Sequence, residues 1–156
     1  LYLVKRANAR MRLLHKLVEF SVPLEDLLNI YILYVRSILE QSCQVWHSSL
    51  TLENFQDLER VQKNALRIIL GEDYQTYSHA LNVTGLSTLF ERREKLCLKF
   101  AKSCAKYTNI FPLNDAPCSI DTRYREMYKV TRSCTERLKT SAVPYMQRLL
   151  NSEARK

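Results

Sequence analysis

Two glycines and four prolines are all that punctuate this chain of 156 residues. Gly71 and Gly85 stand apart, and Pro23, Pro112, Pro117 and Pro144 leave long stretches uninterrupted. Short strands joined by tight turns draw on residues that accept positive φ or preset the turn, so this scarcity favours long helices. An apolar fraction of 46% belongs to a chain with a real core and is too high for a disordered one. The length suits one ordinary domain with a tail.

Hydrophobic spacing places the helices. Val4, Ala7, Met11, Leu14 and Val18 form a stripe over residues 2–20. A second helix is expected from Pro23 to about Trp46, with Glu25 and Asp26 favourable at its positive end. Its apolar residues cover more than half of the circumference, which suits the centre of a bundle. Thr51 is a candidate N-cap for a third helix over 52–70, packing Phe55, Leu58, Val61, Ala65, Ile68 and Ile69 and stopped by Gly71 in the manner of a left-handed cap. A short helix is expected over 77–82. Thr88 and Glu91 have capping-box spacing and open a fourth long helix to about Lys106, with Leu89, Leu96, Cys97, Phe100 and Cys104 inward. Beyond Tyr107 the pattern loosens into a loop around Pro112 and Pro117, and residues 124–139 have mixed period. Ser141 to Pro144 start a last helix through Leu150. The expectation is all-α: a bundle of about four main helices over 1–106 and a basic, partly irregular extension over 107–156 ending in a short helix.

The net charge is +8 with a pI near 9.4, and it is unevenly placed. Residues 91–156 hold 15 Lys/Arg against 7 Asp/Glu, and residues 1–18 hold five cations and no acid. The stretch 19–90 is acidic, with four cations and nine acids. Such polarity suggests an anionic partner, nucleic acid first. On the fourth helix Arg92, Lys95, Lys99, Lys102 and Lys106 fall within about 80° of arc at 100° per residue. Arg60, Lys63 and Arg67 line up on the third helix with Gln56, and Lys5, Arg12 and Lys16 on the first. Solvated outer faces usually mix signs. Among the five stripe cations of the fourth helix Glu91 is the only nearby acid on that face, so these rows are read as phosphate-binding. Arg93 instead points into the apolar stripe. A buried guanidinium needs a partner, so a structural role is expected, with an acid or helix-end carbonyls as partner.

Catalytic patterns are scarce. Isolated Gly71 and Gly85 allow no glycine-rich phosphate loop, there is no G-x-S-x-G elbow, and the carboxylates are scattered with no Asp-Asp pair. Cys43 and His47 have nucleophile–base spacing on one helix face. Burial of the thiol and a histidine at a helix C-terminus explain them better. Five cysteines without paired spacing point to reduced thiols in an intracellular setting, cytoplasmic or nuclear. Cys97, Cys104, Cys118 and Cys134 lack the close pairs of a structural zinc site, and core packing accounts for Cys97 and Cys104. No cofactor, metal or small-molecule substrate is expected for these residues. No apolar run approaches the roughly 18 residues of a membrane span, and no signal-peptide pattern opens the chain. It begins at Leu1 inside an apparent helix, so it is taken as a piece of a longer protein.

The strings YVRSILEQSCQVWHSSLT, LERVQKNALRIIL, GLSTLFERREKLCLKFAKSC and SAVPYMQRLLN keep an order and spacing over about residues 2–151 that resembles the region following the palm in reverse transcriptases of LINE-type (non-LTR) retrotransposons. The resemblance implies a helical thumb with its adjoining C-terminal region, gripping RNA template and DNA primer. It places the catalytic Tyr/Phe-Ala-Asp-Asp motif and its Mg in a palm upstream, so this RNA-directed DNA polymerase fragment should not polymerise alone. Missing palm and fingers are then its protein partners. Trp46 and His47 match the string between two thumb helices, and an anchor is expected there. Two departures stand out: Asn64 occupies a place where the family often carries a second basic residue, and the family's frequent Cys-Cys-His-Cys knuckle is absent. The alternatives are a helical protein–protein interaction module built on nine tyrosines and five phenylalanines, or a decayed element fragment without activity.

Overall fold

A computed structural model describes residues 2–114 and 127–155. Pro117, Cys118 and the start of the 124–139 segment lie outside the described residues. Among those described the fold is all-α with no β-strand, and one isolated antiparallel bridge joins Leu113 to Tyr128. The chain forms two compact units: Leu1–Ser42 with Leu50–Arg92, and Cys43–Ser49 with Arg93–Lys156. The later division falls between Arg92 and Arg93, inside a helix.

In the first unit α1 (Tyr2–Glu19) buries Ala7, Met11 and Leu14. It ends without glycine: Ser21 takes φ 54, and the Val22 N–H returns to the Leu17 carbonyl at 3.3 Å in a Schellman arrangement. Val18, expected inward, is exposed on the last turn of the helix. Next, α2 (Leu24–Ile30) runs into a π-helical stretch, Tyr31–Arg36, and then into α3 (Ser37–Glu40). The wider π turn buries Tyr31 and Val35 while Leu33 and Tyr34 stay exposed. Arg10 reaches across from α1, donating to the Tyr34 carbonyl at 2.8 Å with its guanidinium 4.2 Å from the Tyr34 ring centroid.

The expected single helix from Pro23 to Trp46 therefore stops at Glu40. Gln41 is extended at ψ 119 and Ser42 has φ 52, so the backbone cannot continue. Trp46 belongs to a separate short helix, α4 (Cys43–Trp46), followed by a 3-10 turn at His47–Ser49 in the second unit.

In the first unit again, α5 (Leu52–Leu70) starts where its cap predicts, with the Asn54 N–H donating to Thr51 Oγ1 at 3.2 Å. Leu58, Val61, Ala65, Leu66 and Ile69 face the core and pack against α1 and α2. Gly71 ends the helix at φ 53 and ψ −119, open to glycine alone and distinct from the left-handed helical cap expected. Thr76 caps α6 (Tyr77–Thr84), and Leu66, Leu70 and Ala80 form a core cluster with Tyr74, Tyr77 and Leu81 around it. Thr88 caps α7 (Leu89–Cys104) by accepting from the Glu91 N–H at 3.2 Å.

In the second unit, α7 from Arg93 onward shares a core with α9 (Ala142–Glu153), and the short α8 (Glu136–Lys139) precedes α9. Ala101, Phe111, Met146 and Leu150 make that core. The inward face is Arg93, Cys97 and Ala101, one every four residues; Phe100, expected inward, is exposed. Such a four-residue row is one of the ridges by which helices pack. Two buried amides on α9 hold the irregular segments. Asn151 accepts from the Tyr128 N–H at 2.8 Å and donates to the Tyr128 carbonyl at 2.9 Å. Gln147 accepts from the Thr131 N–H at 2.7 Å and donates to the Ile110 carbonyl at 2.9 Å.

Candidate nucleic-acid interface

The third-helix cations come together. Arg60, Lys63 and Arg67 line a groove of about 460 Å³ along α5, with Phe55, Gln56, Glu59 and Asn64 completing its wall. Each cation is braced. Arg60 pairs with Asp57 at 2.8 Å, Lys63 sits 5.1 Å from the Tyr77 ring centroid, and Arg67 sits 5.3 Å from that of Tyr74. Aromatic faces attract cations and restrict their rotamers, so this row is partly preorganised. At one end Phe55 meets Phe90 edge to face, 5.6 Å between centroids.

On α7 the row is exposed but less free of acids than its sequence neighbourhood indicates. Arg92 donates to Glu40 at 3.1 Å, and Arg36 shares that carboxylate at the same distance. Lys102 pairs with Glu153 at 3.3 Å. These acids lie 52 and 51 residues away in sequence, which is why Glu91 stood alone in the linear reading. Lys95 and Lys99 are exposed, and Lys106 lies 5.2 Å from the Tyr107 ring centroid. Lys5, Arg12 and Lys16 are exposed on α1.

Arg93, Trp46 and His47 form a buried set in the second unit. The Arg93 side chain is fully buried, with its guanidinium 5.8 Å from the Trp46 ring centroid. Its Nε donates to His47 Nδ1 at 3.4 Å, which assigns the imidazole proton to Nε2. His47 packs edge to face on Tyr145 at 5.9 Å. Burial, reinforced by the Arg93 charge, lowers the His47 pKa to about 4, so the ring is neutral at pH 7. Burial also pushes the Tyr145 phenol up to about 12.

Cys43 is buried, and the Cys97 thiol lies 3.9 Å from the Cys43 carbonyl. Its hydrogen bond with Cys43, then burial, push the Cys97 thiol well above its usual range, the opposite of what a nucleophile needs. Among the described residues no three His, Cys, Asp or Glu side chains gather as a metal site, and Cys118 lies outside them.

Sequence reasoning missed the polar core beside the α5 groove. Tyr31 donates to Gln62 Oε1 at 2.9 Å, and Gln62 Nε2 donates to the Tyr77 hydroxyl at 2.9 Å and the Ser87 carbonyl at 3.0 Å. Tyr77 donates in turn to Glu59 Oε1, which also accepts from the Leu89 N–H at 3.3 Å. Glu59 thus satisfies an N-terminal amide of α7 while lying in the groove wall. Burial raises both phenols, with the Glu59 bond adding to the effect on Tyr77, and both stay protonated. The only sequence signal was a Glu and a Gln three apart on the inward side of an amphipathic helix.

No protein-family model, curated protein or solved structure matches this chain. No helix among the described residues is long and apolar enough to cross a membrane.

Proposed function

We propose that this chain is the thumb-side segment of a LINE-type reverse transcriptase and holds RNA and RNA–DNA duplex through backbone phosphates. The observation that carries the reading is the braced row of Arg60, Lys63 and Arg67 along the α5 groove. Exposed Lys95 and Lys99 on α7 and the family resemblance add to it. Phosphate contacts made by such side chains position a duplex and carry little base specificity. The chain contributes grip and no chemistry, and the Mg-dependent step belongs to a palm outside it.

Binding by about five cations gives a log–log salt slope near −4 to −5 for a short RNA–DNA duplex. A second reading, a protein–protein module, draws on exposed apolar side chains: Phe20 and Leu33 are 78% and 74% exposed. A nearly flat salt response favours that reading over phosphate binding.

A further inference from the structure

The α5 groove has features that a duplex backbone does not use. It is concave, it carries an aromatic ring in its wall, and two amide side chains, Gln56 and Asn64, stand beside the cations. We propose that this groove takes a single strand of nucleic acid, with one unpaired base against Phe55 and the flanking phosphates along Arg60, Lys63 and Arg67. This deepens the phosphate-binding reading and rests on it.

In a duplex the base faces are already stacked on each other, so a ring in a groove wall gains nothing from them. A single strand offers free base faces, and aromatic stacking next to a basic track is how sequence-tolerant single-strand sites are built. The dimensions agree. Phe55 to Arg67 spans twelve residues of helix, about 18 Å, and the cations occupy the last 10 Å or so of it. Phe90 holds the Phe55 ring edge to face, which fixes its orientation. The volume, about 460 Å³, is on the scale of a site for one small group. Gln56, next to Phe55, presents both a donor and an acceptor, so it meets a base edge whatever the base.

Plain solvation is the competing account of the cations. It does not explain why Lys63 and Arg67 are each drawn onto a tyrosine face, nor why the acids along the row are engaged within the fold, Asp57 by Arg60 and Glu59 by Tyr77 and the Leu89 N–H.

The test uses the full chain, a single-stranded oligonucleotide bearing 2-aminopurine, and a blunt RNA–DNA duplex of equal length. Phe55→Leu keeps apolar bulk against Phe90 and removes the aromatic face. It should weaken single-strand binding about fivefold or more, the lower end of what one stacked base contributes. Duplex binding should be unchanged. The wild-type chain should quench the 2-aminopurine signal and Phe55→Leu should not. Arg67→Ala should lower the single-strand salt slope by about 0.7. Equal loss on both probes, no loss on either, or no quenching by the wild type overturns the inference while leaving the phosphate-binding reading standing. Absence of binding to both probes overturns the phosphate-binding reading itself.

Discussion

The guanidinium of Arg93 lies 5.8 Å from the centre of the Trp46 indole, in a core where the arginine is fully buried. A charge this deep is tolerated only when its surroundings are polarised toward it, and the indole face and the His47 nitrogen do this. Trp46 and His47 thus belong with Arg93 as packing partners in the core. Replacing Arg93 with alanine leaves a cavity and strands the indole. Arg93→Ala should lower unfolding stability by about 3 kcal/mol, as large-to-small core changes do. Affinity for nucleic acid, measured well below the midpoint of denaturation, should change little. An unaltered urea midpoint with a large affinity loss would show that Arg93 binds ligand.

His47 gives stability a pH dependence of known sign. The folded ring takes a proton only near pH 4, the unfolded chain near 6.5. Between those values the unfolded state binds more protons, so stability is full above 6.5 and falls as pH drops through the window. The shift corresponds to about 3 kcal/mol once the window has been crossed. Carboxylates titrate in the lower part of it, so the comparison is with His47→Gln, which should show a shallower loss in urea midpoints between pH 7 and pH 4.5. Parallel curves for the two proteins would remove His47 from the account.

Tyr77 links the groove wall to the start of α7 through Glu59 and Gln62. Tyr77→Phe removes one hydroxyl and leaves both partners short of a contact in a buried place. A cost of about 1–3 kcal/mol is expected. Lys63 keeps an aromatic face to rest on, so duplex affinity should hold in a gel-shift assay at fixed salt. Thermal unfolding reads the first effect and the assay the second.

Much of this fold was legible because its helix starts are written locally. Thr51 and Thr88 each accept from the amide three residues on, and α5 has the bounds its cap and Gly71 imply. What escaped the sequence was non-local or unsignalled. Ser21 and Ser42 take positive φ without being glycine, so the break that separates Trp46 from α3 had no marker. The π stretch changes which side chains face inward without any change in composition. Inward Glu59 and Gln62 looked like surface residues because their partners, Tyr77, Tyr31 and Leu89, are 15 to 31 positions away. The same holds for the site. The α5 row was visible from spacing, whereas the tyrosines beneath it and the acids that meet Arg92 and Lys102 were not.

Residues 127–131 defied periodicity for a related reason: their order comes from α9. Asn151 makes two backbone bonds to Tyr128. Asn151→Ala should cost about 2 kcal/mol, near 1 kcal/mol for each bond. Amide exchange at Tyr128 should accelerate while exchange within α5, in the other unit, stays as it was. Unchanged exchange at Tyr128 would mean that the segment is held by other contacts.

Arg92 and the middle of the α7 row should behave differently, because Arg92 is part of an ion-pair bridge and Lys95 and Lys99 are not. Arg92 shares the Glu40 carboxylate with Arg36, so Arg92→Ala removes a fold contact that is partly buried. Lys95 and Lys99 have exposed side chains and make no ion pair among the described residues. Under the phosphate-binding reading, the double change Lys95→Ala with Lys99→Ala should flatten the salt slope for an RNA–DNA duplex by nearly two, about 0.9 for each cation. Its urea midpoint should match the parent's, since exposed lysines contribute little to stability. Arg92→Ala should do the reverse, lowering the midpoint by up to about 1 kcal/mol and moving the slope little. If the double lysine change leaves the slope where it was, α7 is not part of the nucleic-acid surface, and the α5 groove has to account for the binding alone.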